Sequence, residues 1–294
     1  MLHGVLVHHM IPAAIITLRE TLEASLVIGI ILAYLQKTES SKHGVVVWSG
    51  VFAGISVSFV LAVVFQSFVG GFTGRTEELY EGSMMLTAAG LLTWMIIWML
   101  GKRRSIRGDI EQKVQMHVEH GYLAGIFFLA FVATVRESVE TVIFLKAAIV
   151  HTHAGYEVFG GLLGIAVAIS FSYFLFRGIE VLPLRKFFTI TSVLLILFAA
   201  GLVAHGVHEF QEAGLLPVLQ TAVWDINPLI RAEGSYPLLH DKGFIGGMFV
   251  SLFGYNGNPT GLELIAYGGY IAAIMVLWRR YSFPKPLAAK TARG

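Results

Sequence analysis

The sequence predicts an all-α polytopic membrane protein: seven transmembrane helices, laid out as an inverted 3+3 repeat followed by one C-terminal helix. Three observations carry that expectation. The 294 residues are 55% hydrophobic and only 14% charged, too apolar for a water-soluble domain. The apolar residues gather in runs close to or above the ~20 that a helix needs to cross a bilayer. A charged motif occurs twice inside such runs, as Arg19-Glu20-Thr21-Leu22-Glu23 and as Arg136-Glu137-Ser138-Val139-Glu140.

The first span runs from about Ile11 to Gln36. Met1 to His9 contain no Lys or Arg, unlike the start of a cleaved signal peptide, so this helix is expected to stay. The second and third spans, Val45 to Val69 and Leu79 to Leu100, complete a first repeat over residues 10–101. A charged connection follows over 102–122, expected at the cytoplasmic surface and partly helical; a solvated face is the expectation for its His117 and His120. Spans four to six, Leu123 to Val150, Phe159 to Phe176 and Phe187 to Val207, form a second repeat over 123–212. The longest connection, 213–261, is rich in Gly, Pro, Trp and Asn and holds an apolar piece, Phe244 to Phe253, too short to span. It is expected to be a packed lid or re-entrant segment on the outer face. A seventh helix over 262–281, with its span from Leu262 to Trp278, leads to a tail over 282–294.

The repeat rests on three matches in one order. The motifs are offset by 117 residues, Gly50-Val-Phe-Ala-Gly54 resembles Gly160-Gly-Leu-Leu-Gly164 at 110, and Ala88-Ala89-Gly90-Leu91 recurs as Ala199-Ala200-Gly201-Leu202 at 111. A unit of three helices is odd in number, so its second copy enters the membrane inverted, and transporters of that plan place their sites between the repeats. Gly50 with Gly54, and Gly160 with Gly164, read as small-xxx-small packing pairs.

Orientation follows from Lys and Arg. Fifteen fall on one side, among them Lys37, Lys42, Lys102, Arg103, Arg104, Arg107, Lys113, Arg177, Arg185 and Lys186 and five in the C-terminal segment; four, Arg75, Lys146, Arg231 and Lys242, fall on the other. This asymmetry sets the N-terminus outside and the C-terminus in the cytoplasm. Acidic residues and eight of the eleven histidines lean to the outside, including His3, His8, His9, His151, His153 and His240. Such a face concentrates cations, although the positive-inside bias alone leaves acids outside.

Within each motif, a spacing of four pairs Arg19 with Glu23 and Arg136 with Glu140, and a spacing of three brings Glu20 beside Glu23 and Glu137 beside Glu140. Charges inside a membrane cost at least ~2.5–3.5 kcal/mol each and usually mark an ion pathway. A structural ion pair would balance, whereas four carboxylates facing two arginines leave a net charge of minus two. Glu20, Glu23, Glu137 and Glu140 are therefore the candidate metal ligands, with Arg19 and Arg136 supporting them. A second constellation, His205, His208, Glu209 and Glu212, lies at the outer end of the sixth span, with Glu77, Glu78 and Glu81 at the outer start of the third. Together these form a candidate outer metal relay, although His-Glu pairing and capping explain the same spacing. The chain has no Cys, which excludes disulfides and thiolate sites and argues against soft metals such as Cu(I).

The doubled Arg-Glu-x-x-Glu in the first and fourth of seven spans resembles the iron permease family, the fungal high-affinity iron permeases and their bacterial iron-uptake relatives. The resemblance covers nearly the whole chain, including His208-Glu209-x-x-Glu212-Ala213-Gly214 and Leu252-Phe253-Gly254-Tyr255. It implies a permease, not an enzyme, carrying iron as its substrate with no resident cofactor in the cytoplasmic membrane. Fungal members work with a multicopper ferroxidase and carry Fe(III), while bacterial members often act with periplasmic partner proteins. Extracytoplasmic iron-oxidising or iron-delivering proteins are thus the implied partners besides the lipid bilayer, and no nucleic acid. The chain carries no long acidic tail of the fungal kind, which favours the bacterial branch. Four Glu without Cys or Met suit Fe(III) better than Fe(II), and equally suit other hard cations. The alternatives are a transporter or channel for Mn, Mg or Pb, and an intramembrane metal-dependent phosphatase, which would need a phosphate-cradling loop beside the motifs.

Overall fold

The computed structural model describes residues 2–69, 73–102, 106–119, 122–149, 154–176, 184–227, 236–241 and 243–282. Arg103, Arg104, Arg177, Arg231, Glu233, Lys242, His120, His151, His153 and the tail beyond residue 282 lie outside the described residues. Among those described, all regular structure is helical.

Among the described residues nine α-helices follow in order: α1 Leu2–Lys37, α2 Gly44–Val69, α3 Arg75–Lys102, α4 Ile106–Glu119, α5 Leu123–Ile149, α6 Ala154–Phe176, α7 Leu184–Glu212, α8 Phe244–Phe253 and α9 Gly261–Ser282. By length and apolarity, four stretches among the described residues suffice to cross a membrane: Ser41–Phe65, Arg75–Met99, Phe188–Glu212 and Gly261–Arg280. With 36 and 27 residues, α1 and α5 are also long enough, but each carries three charged motif residues at its middle. The first helix starts nine residues earlier than the span expected from Ile11, with Pro12 inside it. A missing N–H at one position is tolerated in a helix that neighbouring helices enclose.

Packing sorts the helices into a centre and a rim. A buried cluster joins α1, α3, α5 and α7 through Ile16, Met85, Ala88, Leu92, Met95, Phe144, Leu195 and Ala199. The rim turns its apolar side chains outward, with Val45, Phe52 and Phe59 of α2 and Phe159, Leu162 and Ile169 of α6 exposed. So large an apolar surface suits lipid, not water. α1 packs on α6, α2 on α5, and α3 on α7, while α9 lies against α7 and α3.

The closest approaches occur at glycines. A side chain at Gly50 would strike the Phe127 carbonyl and Ala130, and one at Gly54 would strike Thr134 and the Phe131 carbonyl. On the other rim helix, Gly160 lies against the Met10 backbone and Gly164 against Ala14 and Thr17. The Thr17 hydroxyl also lies 2.9 Å from the Gly161 carbonyl oxygen.

Two connections are more structured than their sequence suggests. α4 is a full helix in the 102–122 connection, and its Val114 is wholly buried with Ile31, Leu35, Val47 and Ile126. Beyond α7, the outer connection folds back on the bundle, with α8 packed on α1 and α7. Gly254, at φ +64, caps α8 in the left-handed region and sets its backbone against Gly201 of α7. Asn227 and Asp241 tie the segment together: Asn227 Nδ2 donates to Asp241 Oδ2 at 2.6 Å, and the Gly257 N–H donates to Asp241 Oδ1 at 2.9 Å.

Candidate metal centre

Both charged motifs lie on helices of the central cluster, so their side chains meet. On α1, Arg19 Nη1 is 2.7 Å from Glu20 Oε1 and Nη2 is 2.5 Å from Glu23 Oε1. On α5, Arg136 Nε is 2.9 Å from Glu140 Oε1 and 3.9 Å from Glu137 Oε1. Each arginine thus pairs with the glutamate four residues on, as helical spacing expects. Glu20, Glu23 and Glu137 each bring one carboxylate oxygen within 4.8 Å of the other two, the one such group among the described residues. Glu140 lies outside that trio, held by Arg136. Glu20 Oε2, Glu137 Oε2 and Glu140 Oε2 are buried with no hydrogen-bond partner. Orphaned buried oxygens are costly where nothing binds them, and they suit a cation.

The two arginines differ. Arg19 is fully enclosed, whereas the Arg136 side chain is 35% exposed. Arg136 lies over two indoles, with Cζ 5.9 Å from the Trp94 ring and 5.2 Å from that of Trp98. Arg19 instead faces sulfur: Nη1 is 2.8 Å from Met95 Sδ and Nη2 is 3.6 Å from Met99 Sδ. The motifs alone predict a site free of methionine; the structure sets two thioethers against its central guanidinium. The available signal was the doubled Trp94-Met95 and Trp98-Met99 on α3, whose spacing of four stacks like upon like along a helix.

The outer constellation comes together only in part. His208 bridges two carboxylates, with Nδ1 2.9 Å from Glu263 Oε1 and Nε2 3.2 Å from Glu212 Oε1. The ring meets both as a donor only in its doubly protonated form. His205 Nδ1 lies 3.0 Å from its own helix's Gly201 carbonyl oxygen. Glu209 is buried and within electrostatic reach of Glu78, Glu81 and Glu212, while Glu77 is exposed. These seven residues do not bring three ligand atoms within 4.8 Å of one another.

Glu263, at the start of the last helix, is not among the site residues that the sequence suggests. It is 1% exposed and accepts from the Thr260 N–H at 3.1 Å and from Asn256 Nδ2 at 2.9 Å, besides its contact with His208. Thr260 Oγ1 in turn accepts from the Glu263 N–H at 3.3 Å, a capping box at the start of α9. The signal was Thr-x-x-Glu immediately before an apolar run. Glu263 also lines a cavity of about 280 Å³, mostly apolar, with Trp224, Phe249, Phe253, Tyr255 and Tyr267. Burial pushes the Tyr255 phenol above its ordinary range, and the Asp241 charge adds to the effect.

Since Glu263 joins α7, α9 and the outer connection, Glu263→Ala is expected to cost about 2–3 kcal/mol by orphaning three donors. Limited proteolysis of the purified protein checks this: cleavage within residues 213–227 should quicken several-fold. An unchanged cleavage rate would mean that the connection is held elsewhere.

Comparison with known proteins follows the whole length of the bundle. The sequence model of the iron permease FTR1 family matches residues 10–281. An uncharacterized protein of Archaeoglobus fulgidus is 36% identical over 271 residues, 92% of this chain and 95% of its own length. The ferrous iron permease EfeU of Shigella sonnei is 30% identical over 282 residues, 95% of this chain and 98% of its own. That of Yersinia pestis is 29% identical over 266 residues, 90% and 91% of the two chains. No solved structure matches.

Proposed function

The chain belongs to the iron permease FTR1 family, and from that premise we propose that it imports iron, ferrous or ferric, across the cytoplasmic membrane through a site built by its two Arg-Glu-x-x-Glu motifs. The family and its named relatives are permeases, so the chain is a multi-pass membrane transporter and not an enzyme. One observation supports the site above all. Glu20 and Glu23 from α1 meet Glu137 from α5 in the buried centre, with oxygens left unpartnered. Glu140 completes a set of four, and Arg19 and Arg136 offset two of the four carboxylate charges, leaving the empty site short of cationic charge. Carboxylates are good ligands for iron ions. An arriving cation competes with the guanidiniums for the same oxygens, so binding displaces an arginine contact and releases any proton that the crowded carboxylates carry.

In this reading, seven helices span the membrane, α1, α2, α3, α5, α6, α7 and α9, with the N-terminus outside and the C-terminus inside. Repeat 1 covers about 10–101 and repeat 2 about 123–212, leaving α4, the outer connection, the last helix and the tail outside the repeat. The support is an exchange of contacts: Gly50 and Gly54 of α2 meet Phe127 to Thr134 of α5, and Gly160 and Gly164 of α6 meet Met10 to Thr17 of α1. These two contact sets are related by the same offsets as the sequence matches. The outer residues His205, His208, Glu209, Glu212, Glu77, Glu78 and Glu81 pass the ion inward, supported by the burial of Glu209 among like charges. Extracytoplasmic iron-oxidising or iron-delivering proteins bring iron to that face.

The test is uptake into proteoliposomes of the purified protein, offering Fe(II) under reductant and Fe(III) as a soluble chelate, beside Glu20→Ala and Glu137→Ala. Wild type is expected to accumulate iron and both variants to match protein-free vesicles. Variants that are folded and transport at the wild-type rate would remove these glutamates from the pathway.

A further inference from the structure

One stretch at the centre touches the arginines of the site but has no role toward the ion in the reading above: Trp94-Met95-Ile96-Ile97-Trp98-Met99 of α3. Both methionines are buried. Arg19 Nη1 is shared between Glu20 Oε1 at 2.7 Å and Met95 Sδ at 2.8 Å, and Nη2 between Glu23 Oε1 at 2.5 Å and Met99 Sδ at 3.6 Å. The guanidinium therefore occupies a position within reach of both carboxylate oxygens and thioether sulfurs. A cation that takes its place meets both.

We propose that Met95 and Met99 are the soft half of the ion site: once the incoming ion displaces Arg19, their thioether sulfurs join the carboxylates as ligands and make Fe(II) the preferred cargo. The inference rests on the reading of Glu20, Glu23 and Glu137 as the iron site. Thioethers are soft neutral donors, disfavoured by hard ions such as Mg(II), Mn(II) and Fe(III) and accepted by later and softer ones. Carboxylates alone separate Fe(II) from Mn(II) by one step of the usual affinity order, and two sulfurs widen that step. In the empty site the sulfurs act as weak acceptors for Arg19, which keeps a buried guanidinium from being left unsolvated on that side. If the methionines merely filled space around the arginine, leucine, nearly equal in volume, would serve as well.

The experiment uses the full-length protein in detergent under anaerobic conditions. Fe(II) and Mn(II) binding is measured for wild type, Met95→Leu/Met99→Leu and Glu20→Gln, and X-ray absorption is recorded on the Fe(II)-loaded protein. Wild type should show a sulfur neighbour to iron. The double variant should lose that neighbour and at least roughly tenfold of the preference for Fe(II) over Mn(II), with Fe(II) affinity falling more than Mn(II) affinity. Protein made with selenomethionine keeps the native shape, and there the sulfur neighbour should become selenium, whether or not the leucine variant folds. Fe(II) binding that Glu20→Gln abolishes, with only light neighbours in both preparations, overturns the thioether proposal and leaves the carboxylate site standing. Fe(II) binding indifferent to Glu20→Gln, or no Fe(II) binding at all, overturns both.

Discussion

Arg19→Leu is expected to destabilise the protein by about 3–5 kcal/mol, the cost of removing one partner from a buried ion pair. Arg19 is fully enclosed, with Glu20 and Glu23 in direct contact and Glu137 within electrostatic reach. Without it, three clustered, largely buried carboxylates face one another with no counter-charge on that side. The midpoint of thermal unfolding in detergent should fall by on the order of 10 °C. Arg136→Leu should cost less, about 1 kcal/mol, because its side chain is partly exposed and its other neighbours are the faces of Trp94 and Trp98. Adding Glu23→Gln to Arg19→Leu separates charge from packing. It removes one orphaned charge at nearly constant volume and should recover part of the lost stability. An Arg19→Leu protein that unfolds with the wild type would mean that these ion contacts contribute nothing net to the centre.

The sequence makes the motif legible because a charge inside an apolar run has few explanations, and helical spacing then dictates its partners. Arg19 with Glu23 and Arg136 with Glu140 follow from a spacing of four alone. The inequality of the two arginines does not follow, since it depends on which side chains of α3 lie opposite each of them. Nine methionines and five tryptophans are scattered through the chain, and only packing shows that Met95 and Met99 face one arginine while Trp94 and Trp98 face the other. Glu263 was obscured for another reason. Its three partners come from α7, the residues before α9 and the α9 cap, brought together by the fold of a connection whose sequence has no regular period. α4 went unrecognised as a core element because a single buried stripe through Val114, on an otherwise polar helix, is weak beside its surrounding charges.

The glycine pairs give the second large effect, and one that bears on the repeat. Gly54→Leu and Gly164→Leu are each expected to destabilise by ~3 kcal/mol or more, at the upper end of overpacking costs. At both positions the atoms in the way include a backbone carbonyl, of Phe131 and of Ala14, which cannot rotate aside as a side-chain tip can. Helix association in lipid has little but such close packing to drive it, so the loss falls directly on the α2–α5 and α1–α6 pairs. If the two halves are copies in inverted arrangement, the two substitutions should cost nearly the same. The third matched pair supplies the contrast. A side chain at Gly90 would meet nothing within 4 Å, whereas one at Gly201 would strike the backbone of Gly254 where the outer connection comes in against α7. Gly90→Leu should therefore be nearly silent, facing lipid, and Gly201→Leu strongly destabilising. Thermal unfolding of the four variants in detergent distinguishes the cases: equal losses at Gly54 and Gly164 with unequal ones at Gly90 and Gly201 fit a repeat whose symmetry the outer connection breaks. A Gly164→Leu loss well below that of Gly54→Leu would count against equivalent halves, because the same offset in sequence would then carry different packing in space.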